Sequence, residues 1–514
     1  MLVPFSVSDF IDRAVQVYGE RVGVVDEPDQ PAPALGNARG ELTYAEIGEL
    51  ARRQAARLDE LGIGVGERVA IVSHNSSRLL TSFYGVAGFG RVLVPVNFRL
   101  RPEEVQYIVD QSGARVLYVD PEIDEALASV TCEHRFVLGD DESLYAAPGA
   151  EPTPWEPDEN ATATINYTSG TTARPKGVQI THRNIWINAT TFAMHAGVTD
   201  RDVYLHTLPM FHANGWGHPF AATGLGVKHV VIRKIDGAEI LRRVEQHGVT
   251  YLCAAPAVVS AVLEAAQDWD GPIPGRNKVR IIVAGAPPPT RTVARVEEEL
   301  GWEFIQIYGL TETSPLLTVN RSRQEWDHLS AEERAAKLVR AGAPALGVTL
   351  SLGPDDEVLA RSNVVLEGYW EKPDESAAAL ADGWFHTGDG GTIGDDGYLT
   401  ISDRKKDVII TGGENVSSIE VEDVLFSHPA VSEVAVIGVP DERWGETIKA
   451  LVVLTPGESV TEHDLIAWCK DKAAGYKAPT SIEFRDELAR TATGKLQKFK
   501  LRAPYWEGRG RQVN

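Results

Sequence analysis

Between residues 43 and 120 the chain alternates short apolar runs with amphipathic stretches, and few folds accept that rhythm. RVAIVS (68–73), RVLVPVN (91–97) and ARVLYVD (114–120) are short, rich in β-branched residues and apolar at consecutive positions, as strands buried on both faces are. Helical patterns run through LLTSFYGVAGF and RPEEVQYIVDQSG between them. Strand–helix–strand at this spacing predicts a parallel sheet covered by helices. Upstream, Thr43 opens T-Y-A-E with Glu46 three residues on, a capping box that starts another helix. The rhythm returns in AVVSAVLEAAQ, VRIIVAG (279–285), TVARVEEEL and EFIQIYG (303–309), which implies a second α/β layer in one large domain. Around 340–402 the strands shorten and Gly-Asp turns appear; IEVEDVLFSHPAV and AVIGVP then begin a new helix–strand series. A domain boundary is expected near Asp403–Lys406.

At 514 residues the chain exceeds one ordinary domain. Its net charge of −23 disfavours a nucleic-acid partner bound through a basic face, although local lysines can still hold an anionic substrate. The three cysteines, Cys132, Cys253 and Cys469, are scattered and show no zinc spacing or disulfide framework, so a reducing compartment is expected. The first residues, MLVPFSVSDFIDRAV, lack the basic and apolar regions of a signal peptide, and no run has transmembrane length. These features predict a cytoplasmic multidomain protein.

Tyr167–Val178, YTSGTTARPKGV, carries five hydroxyl side chains, two glycines and a lysine. ATATIN can end a strand just before it. A strand running into such a loop suits phosphate binding, because freed backbone N–H groups and rotatable hydroxyls surround an anion while Lys176 adds a point charge. The Walker loop is excluded: Lys176 follows Pro175 and precedes Gly177, so G-x-x-x-x-G-K-[ST] is absent.

Together with YGLTETSP (308–315), HTGDGG (386–391), DRKKDVIITGGENVSSIEVED (403–423) and RTATGKLQK (490–498), the loop resembles the signature of AMP-forming acyl-CoA synthetases, members of the adenylate-forming superfamily. The likeness covers nearly the whole chain, in the family's order. It implies an α/β fold: a large N-terminal domain with two helix-covered sheets and a small β-barrel-like subdomain, then a small mobile α+β C-terminal domain. The corresponding boundaries are 1–402 for the ATP- and acyl-binding domain, 403–407 for a hinge, and 408–514 for the mobile domain.

The same resemblance implies a two-step ligation using ATP, Mg2+ and coenzyme A. A carboxylate attacks the α-phosphate to give an acyl adenylate and pyrophosphate, and a thiol then displaces AMP. Lys176 with Thr168, Ser169, Gly170, Thr171 and Thr172 matches the loop over the β- and γ-phosphates. Glu312 matches the carboxylate that helps hold Mg2+, a hard ion suited to oxygen ligands. Asp389 matches the ribose acceptor and Arg404 an arginine near ribose and phosphates. Tyr308, Gly285, Ala286 and Pro287, with Gly309 and Thr311, match the nucleotide site. Lys495 matches the lysine that bridges the attacking carboxylate and the α-phosphate, and its place in the small domain implies domain closure. Lys406 falls at the hinge position. Gly412 and Gly413 match the pair beside the pantetheine channel, and Lys449 and Trp444–Glu446 could face coenzyme A.

For the acid, PMFHANGWGHPF (209–220) is closest to the fatty and medium-chain branch. His212 matches a position near the substrate carboxylate, where it would position rather than transfer a proton. Trp216 falls where some relatives carry a tunnel gate, and Gly215 and Gly217 leave space for a fatty or bulky hydrophobic acid. Ala173 replaces a usual glycine of the phosphate loop, Ala489 a common proline, and Arg361-Ser362 the usual Arg-Gly; none removes a charged catalytic group. Two other readings are a stand-alone enzyme that loads a carrier-protein phosphopantetheine, and a non-catalytic binding protein. The second is disfavoured because Lys495, Glu312 and Asp389 are all present. A homodimer is compatible with the resemblance.

Overall fold

The computed structural model describes residues 1–27, 38–168, 175–285, 288–404, 407–411, 414–441, 444–490 and 496–507, without the side chains of Arg404 and Asn415. The three apolar runs that open the chain form Arg68–Val72, Val92–Val96 and Ala114–Val119, parallel and adjacent. Thr162–Thr168 joins them in parallel beside Val92–Val96. Lys176–Thr181 turns back antiparallel, and Gly368–Tyr369 adds an antiparallel edge. With His134–Val137 they form a seven-stranded sheet.

The second sheet has nine strands among the described residues. Its parallel centre runs through Glu303–Gly309, Arg280–Val283, Tyr251–Ala254, Val203–His206, Lys228–Val231 and Val22–Asp26. Antiparallel strands Leu316–Arg321 and Gly40–Thr43 lie outside these on either side. One hydrophobic cluster draws on both sheets, from Val69 and Ile71 on the first to Tyr204, Cys253 and Ile282 on the second. The helix Ser77–Gly85 is buried along its whole length, as a helix between two sheets must be. The capping box expected at Thr43 is formed: its side chain accepts from the Glu46 N–H, and Glu46 accepts from the Thr43 N–H at 2.7 Å, opening the helix Tyr44–Glu60.

The region of short strands is a four-stranded antiparallel sheet, Thr349–Leu352, Glu357–Arg361, Phe385–Ile393 and Leu399–Arg404. Beyond it, Ile409–Thr411, Glu414–Val416, Val431–Asp441, Gly445–Leu454 and Ser481–Phe484 form a separate sheet packed on the helices Ser418–Phe426 and Glu462–Lys472. This unit has its own core, centred on Val421, Leu425, Val436 and Ile448. The mixed α/β architecture and the C-terminal helix–strand series follow the sequence reading.

Candidate active site

The hairpin Thr162–Thr168/Lys176–Thr181 sets Thr168 directly opposite Lys176 at its open end. The loop between them carries Ser169, Gly170, Thr171, Thr172 and Ala173, which lie outside the described residues. The edge strand Gly368–Tyr369 pairs with the same hairpin, Tyr369 against Val178. The Lys176 ammonium therefore sits 5.0 Å from the centre of the Tyr369 ring, while the Tyr369 hydroxyl donates to Glu312 Oε1 at 3.0 Å. Burial and the neighbouring Glu312 carboxylate push the Tyr369 phenol well above its ordinary range, so it stays protonated and remains a donor.

Glu312 lies in a single turn, Thr311–Thr313, after the strand Glu303–Gly309. Two bonds fix that turn: Thr313 Oγ1 accepts from the Leu310 N–H at 3.0 Å, and the Glu312 carbonyl accepts from the Leu366 N–H at 2.8 Å. Gly309 is obligatory, because a Cβ there would stand 1.5 Å from the Pro315 carbonyl oxygen. Glu312 offers a carboxylate oxygen of the kind that suits Mg2+, held in place by the Tyr369 phenol.

The expected nucleoside residues converge as well. The Tyr308 hydroxyl donates to Asp389 Oδ2 at 2.8 Å, joining the end of a parallel strand in the nine-stranded sheet to the four-stranded sheet. Asp389 is 6% exposed, and its N–H donates to Thr387 Oγ1 at 3.1 Å. Arg404 is its register partner on the neighbouring strand. Gly285 follows the strand Arg280–Val283; Ala286 and Pro287 lie outside the described residues. The convergence occurs at the carboxyl ends of parallel strands, where open α/β sheets bind ligands.

His212 is partly buried and its N–H donates to the Pro209 carbonyl at 3.0 Å. The next four residues, Ala213 to Trp216, have left-handed backbone, and Gly217 ends the turn. Gly217 has a φ of 82°, which strains any side chain, and a Cβ there would also meet Asn188 Nδ2 at 2.4 Å on the helix His182–Ala196. Trp216 is 4% exposed and belongs to the shared core.

At the start of the expected hinge, Asp403 accepts from the Ser418 N–H at 2.9 Å and from its hydroxyl. The ammonium of Lys498 lies 2.8 Å from Glu422 Oε1 and donates to the same Ser418 hydroxyl. Glu422 in turn accepts from the Val436 N–H at 2.7 Å. This knot ties the segment just after Lys495 to the segment just before Lys406. Lys406, Gly412, Gly413 and Lys495 themselves lie outside the described residues. Glu446 of the Trp444–Glu446 stretch is buried and accepts from the Ile410 N–H at 3.2 Å, supporting the strand that leads to Gly412. Trp444 is exposed, and the Lys449 ammonium stands 3.8 Å from Glu483 Oε2. A direct bridge between the N- and C-terminal units joins Asp423 to the Thr290 N–H and hydroxyl, at 2.9 and 3.0 Å.

Tyr369, Lys498, Asn214 in the turn and Asn166 on the strand Thr162–Thr168 were not expected from the sequence, and Asp403 was expected only as a domain boundary. Tyr369 could have been found only by knowing that GYW pairs with the phosphate hairpin. Thr164 and Asn166 offered a local signal, the two buried members of the polar face Thr162, Thr164, Asn166 and Thr168.

Two family models match the chain: AMP-binding enzyme over residues 11–370, and AMP-binding enzyme C-terminal domain over 420–495. The 2-methylpropanoate–CoA ligase of Humulus lupulus is 35% identical, over 97% of this chain and 95% of its own. The 4-hydroxybutyrate–CoA ligase 2 of Metallosphaera sedula is also 35% identical, over 96% and 93%. The o-succinylbenzoate CoA synthetase of Bacillus subtilis, solved with its acyl-adenylate intermediate, superposes with a TM-score of 0.82 at 28% identity over 96% of this chain and 97% of that one. The same synthetase solved with ATP and a magnesium ion gives 0.81 at 27% identity, over 96% and 99%. No helix among the described residues is long and apolar enough to cross a membrane. The chain belongs to the AMP-binding enzyme family, as an adenylate-forming acyl-CoA ligase.

Proposed function

We propose that this ligase activates an aliphatic hydrophobic acid, at the short to medium end of the fatty range, and transfers it to coenzyme A. The observation that carries the reading is the convergence of Lys176, Glu312, Tyr308 and Asp389 at the carboxyl ends of parallel strands, through Tyr369 and the Tyr308–Asp389 bond. The apolar setting of Trp216 supports a hydrophobic acyl group. The small aliphatic acids named for the hop and Metallosphaera relatives support a modest size.

Bringing an acid carboxylate to a polyanionic nucleotide demands neutralisation and alignment. Lys176 and the hydroxyls of Thr168, Ser169, Thr171 and Thr172, with Gly170, hold the β- and γ-phosphates. Glu312 holds Mg2+, which neutralises phosphate charge when bound. Tyr308, Gly285, Ala286, Pro287, Gly309 and Thr311 form the nucleotide wall, Asp389 accepts from the ribose hydroxyls, and Arg404 lies beside ribose and phosphate. His212 positions the acid, and Gly215, Trp216 and Gly217 border its chain. Lys495 bridges carboxylate oxygen and α-phosphate, so the C–O–P bond forms as pyrophosphate leaves. Residues 408–514 then turn on the 403–407 hinge against 1–402, with Lys406 as pivot. Gly412 and Gly413 leave the thiol a path to the acyl carbon, and Lys449 exchanges Glu483 for a phosphate of coenzyme A. The three scattered cysteines suit a reducing compartment, for which we propose the cytoplasm.

The test is a panel of straight, branched and aromatic acids assayed by pyrophosphate release, with and without coenzyme A. Four- to ten-carbon aliphatic acids should release pyrophosphate most rapidly and give thioester. Preference for aromatic acids would refute the acyl assignment, and release that coenzyme A does not accelerate would favour a carrier-protein acceptor.

A further inference from the structure

Ala213, Asn214, Gly215 and Trp216 have φ of 37°, 46°, 53° and 55°, one turn of left-handed helix in which three residues carry side chains. L residues avoid this region because Cβ crowds the following carbonyl; asparagine tolerates it best after glycine. A run of this kind persists only where its surroundings over-determine it.

Here they do. The Asn214 amide Nδ2 donates to Thr164 Oγ1 at 2.7 Å. Thr164 Oγ1 donates to Asn166 Oδ1 at 3.0 Å. Asn166 Nδ2 closes the ring by donating to Asn214 Oδ1 at 3.2 Å, and also donates to the Phe211 carbonyl at 3.1 Å. All three side chains are buried, so each bond is made away from competing water. From the other side Asn75 accepts from the Met210 N–H at 2.8 Å and donates to the carbonyls of His206 and Leu208 at 2.8 and 3.0 Å. The loop entering the turn is therefore pinned as firmly as the turn.

The ring joins two functional segments. Asn214 lies two residues from both His212 and Trp216, and Asn166 lies two residues before Thr168. We propose that Asn166 and Asn214 are positioning residues for the acid substrate: their ring with Thr164 locks the left-handed turn and holds His212 and Trp216 in register with the strand that carries the phosphate loop. The inference rests on the ligase reading above. Cutting any one bond leaves buried amide groups unpaired and frees the turn to return to ordinary backbone. The whole ring is then lost at once.

That all-or-none property is the test. Asn166→Ala and Asn214→Ala are compared with wild type and with the double variant, using pyrophosphate release across acids of increasing length. Each single variant should raise the KM for the acid about tenfold or more and flatten the length preference, since small misplacements in a reacting site cost that much. The KM for ATP should change by less than about threefold. The double variant should be no worse than the worse single, because both remove one shared network. Thr164→Val, close in shape, should give the same acid defect if an alanine variant fails to fold. Asn214→Gly, which permits the backbone but removes the amide, should also give it. Additive losses, or a lowered melting temperature with an unchanged acid profile, overturn the inference. An active wild type with such variants overturns this inference alone; a wild type with no acid-dependent pyrophosphate release overturns the ligase reading as well.

Discussion

Tyr369→Phe removes one oxygen from the centre of the site and almost nothing else. The phenol donates to Glu312 Oε1 at 3.0 Å, while the ring carries the Lys176 ammonium at 5.0 Å. Phenylalanine keeps the ring and its cation–π contact. What is lost is a hydrogen bond to a carboxylate, worth roughly 1.5–3 kcal/mol when well buried. Tyr369 and Glu312 are only partly buried, so about 1–2 kcal/mol is expected. If that energy orients Glu312 toward Mg2+, the Mg2+ concentration for half-maximal adenylation should rise about 5–30-fold, at 1.4 kcal/mol per tenfold. Saturating Mg2+ should restore most of the rate, and the KM for ATP there should stay within about threefold of wild type. The assay is pyrophosphate release titrated with Mg2+ at fixed ATP and acid, with a thermal melt of both proteins. An unchanged Mg2+ midpoint would refute the proposed link between Tyr369 and the metal carboxylate.

The other predictions concern the hinge, the buried charges and the buried histidines. Lys406→Pro fixes φ near −65° and should retain adenylate formation while losing thioester formation; Lys176→Ala should do the reverse with supplied adenylate, each half-reaction being assayed separately. Lys498→Met leaves Glu422 and Asp403 without their cation and should destabilise the C-terminal unit by about 2–4 kcal/mol, read as faster hydrogen exchange in Ser418–Phe426 than in Ser77–Gly85. Burial lowers His182 to about 4 and His218 and His229 to about 3, and it also holds His206 well below the ordinary histidine range, with His229 and His218 adding to the effect. Because these folded values lie below the ordinary histidine value of 6.5, the unfolded chain binds more protons in mild acid. The stability they contribute is complete above about pH 6.5 and is lost as pH falls, by about 2 kcal/mol per histidine at pH 5. Asp26 and Glu422, raised by burial, oppose this loss but are fewer. Urea midpoints at pH 7 and pH 5 check it; equal midpoints would contradict it.

The layered sheets were legible because strands buried on both faces advertise themselves as unbroken apolar runs, and the Thr43 box because it is local. The antiparallel edge Gly368–Tyr369 was not, since two residues carry no periodicity and their partner lies 190 residues upstream, Tyr369 against Val178. For the same reason the site read as phosphate loop, carboxylate and ribose acceptor without the side chains that link them. Trp216 was expected as a border of the acid site. It is buried in the core, and it is the last residue of a left-handed turn whose signal, Asn-Gly before Trp, is no stronger than that of an ordinary turn. The Asp403–Ser418–Lys498–Glu422 knot was invisible because its four members span almost one hundred residues and meet only after folding.

The central claim is that the acid's own oxygen attacks the α-phosphate before the thiol enters. Acid carrying oxygen-18 in its carboxylate tests this most directly, with mass analysis of the nucleotide after turnover with coenzyme A. Attack on the α-phosphate makes the labelled oxygen the bridge, and thiol attack at the acyl carbon leaves it on phosphorus. AMP bearing a single labelled oxygen, with unlabelled pyrophosphate, is the predicted result. Unlabelled AMP, or ADP with label in phosphate, would contradict the account.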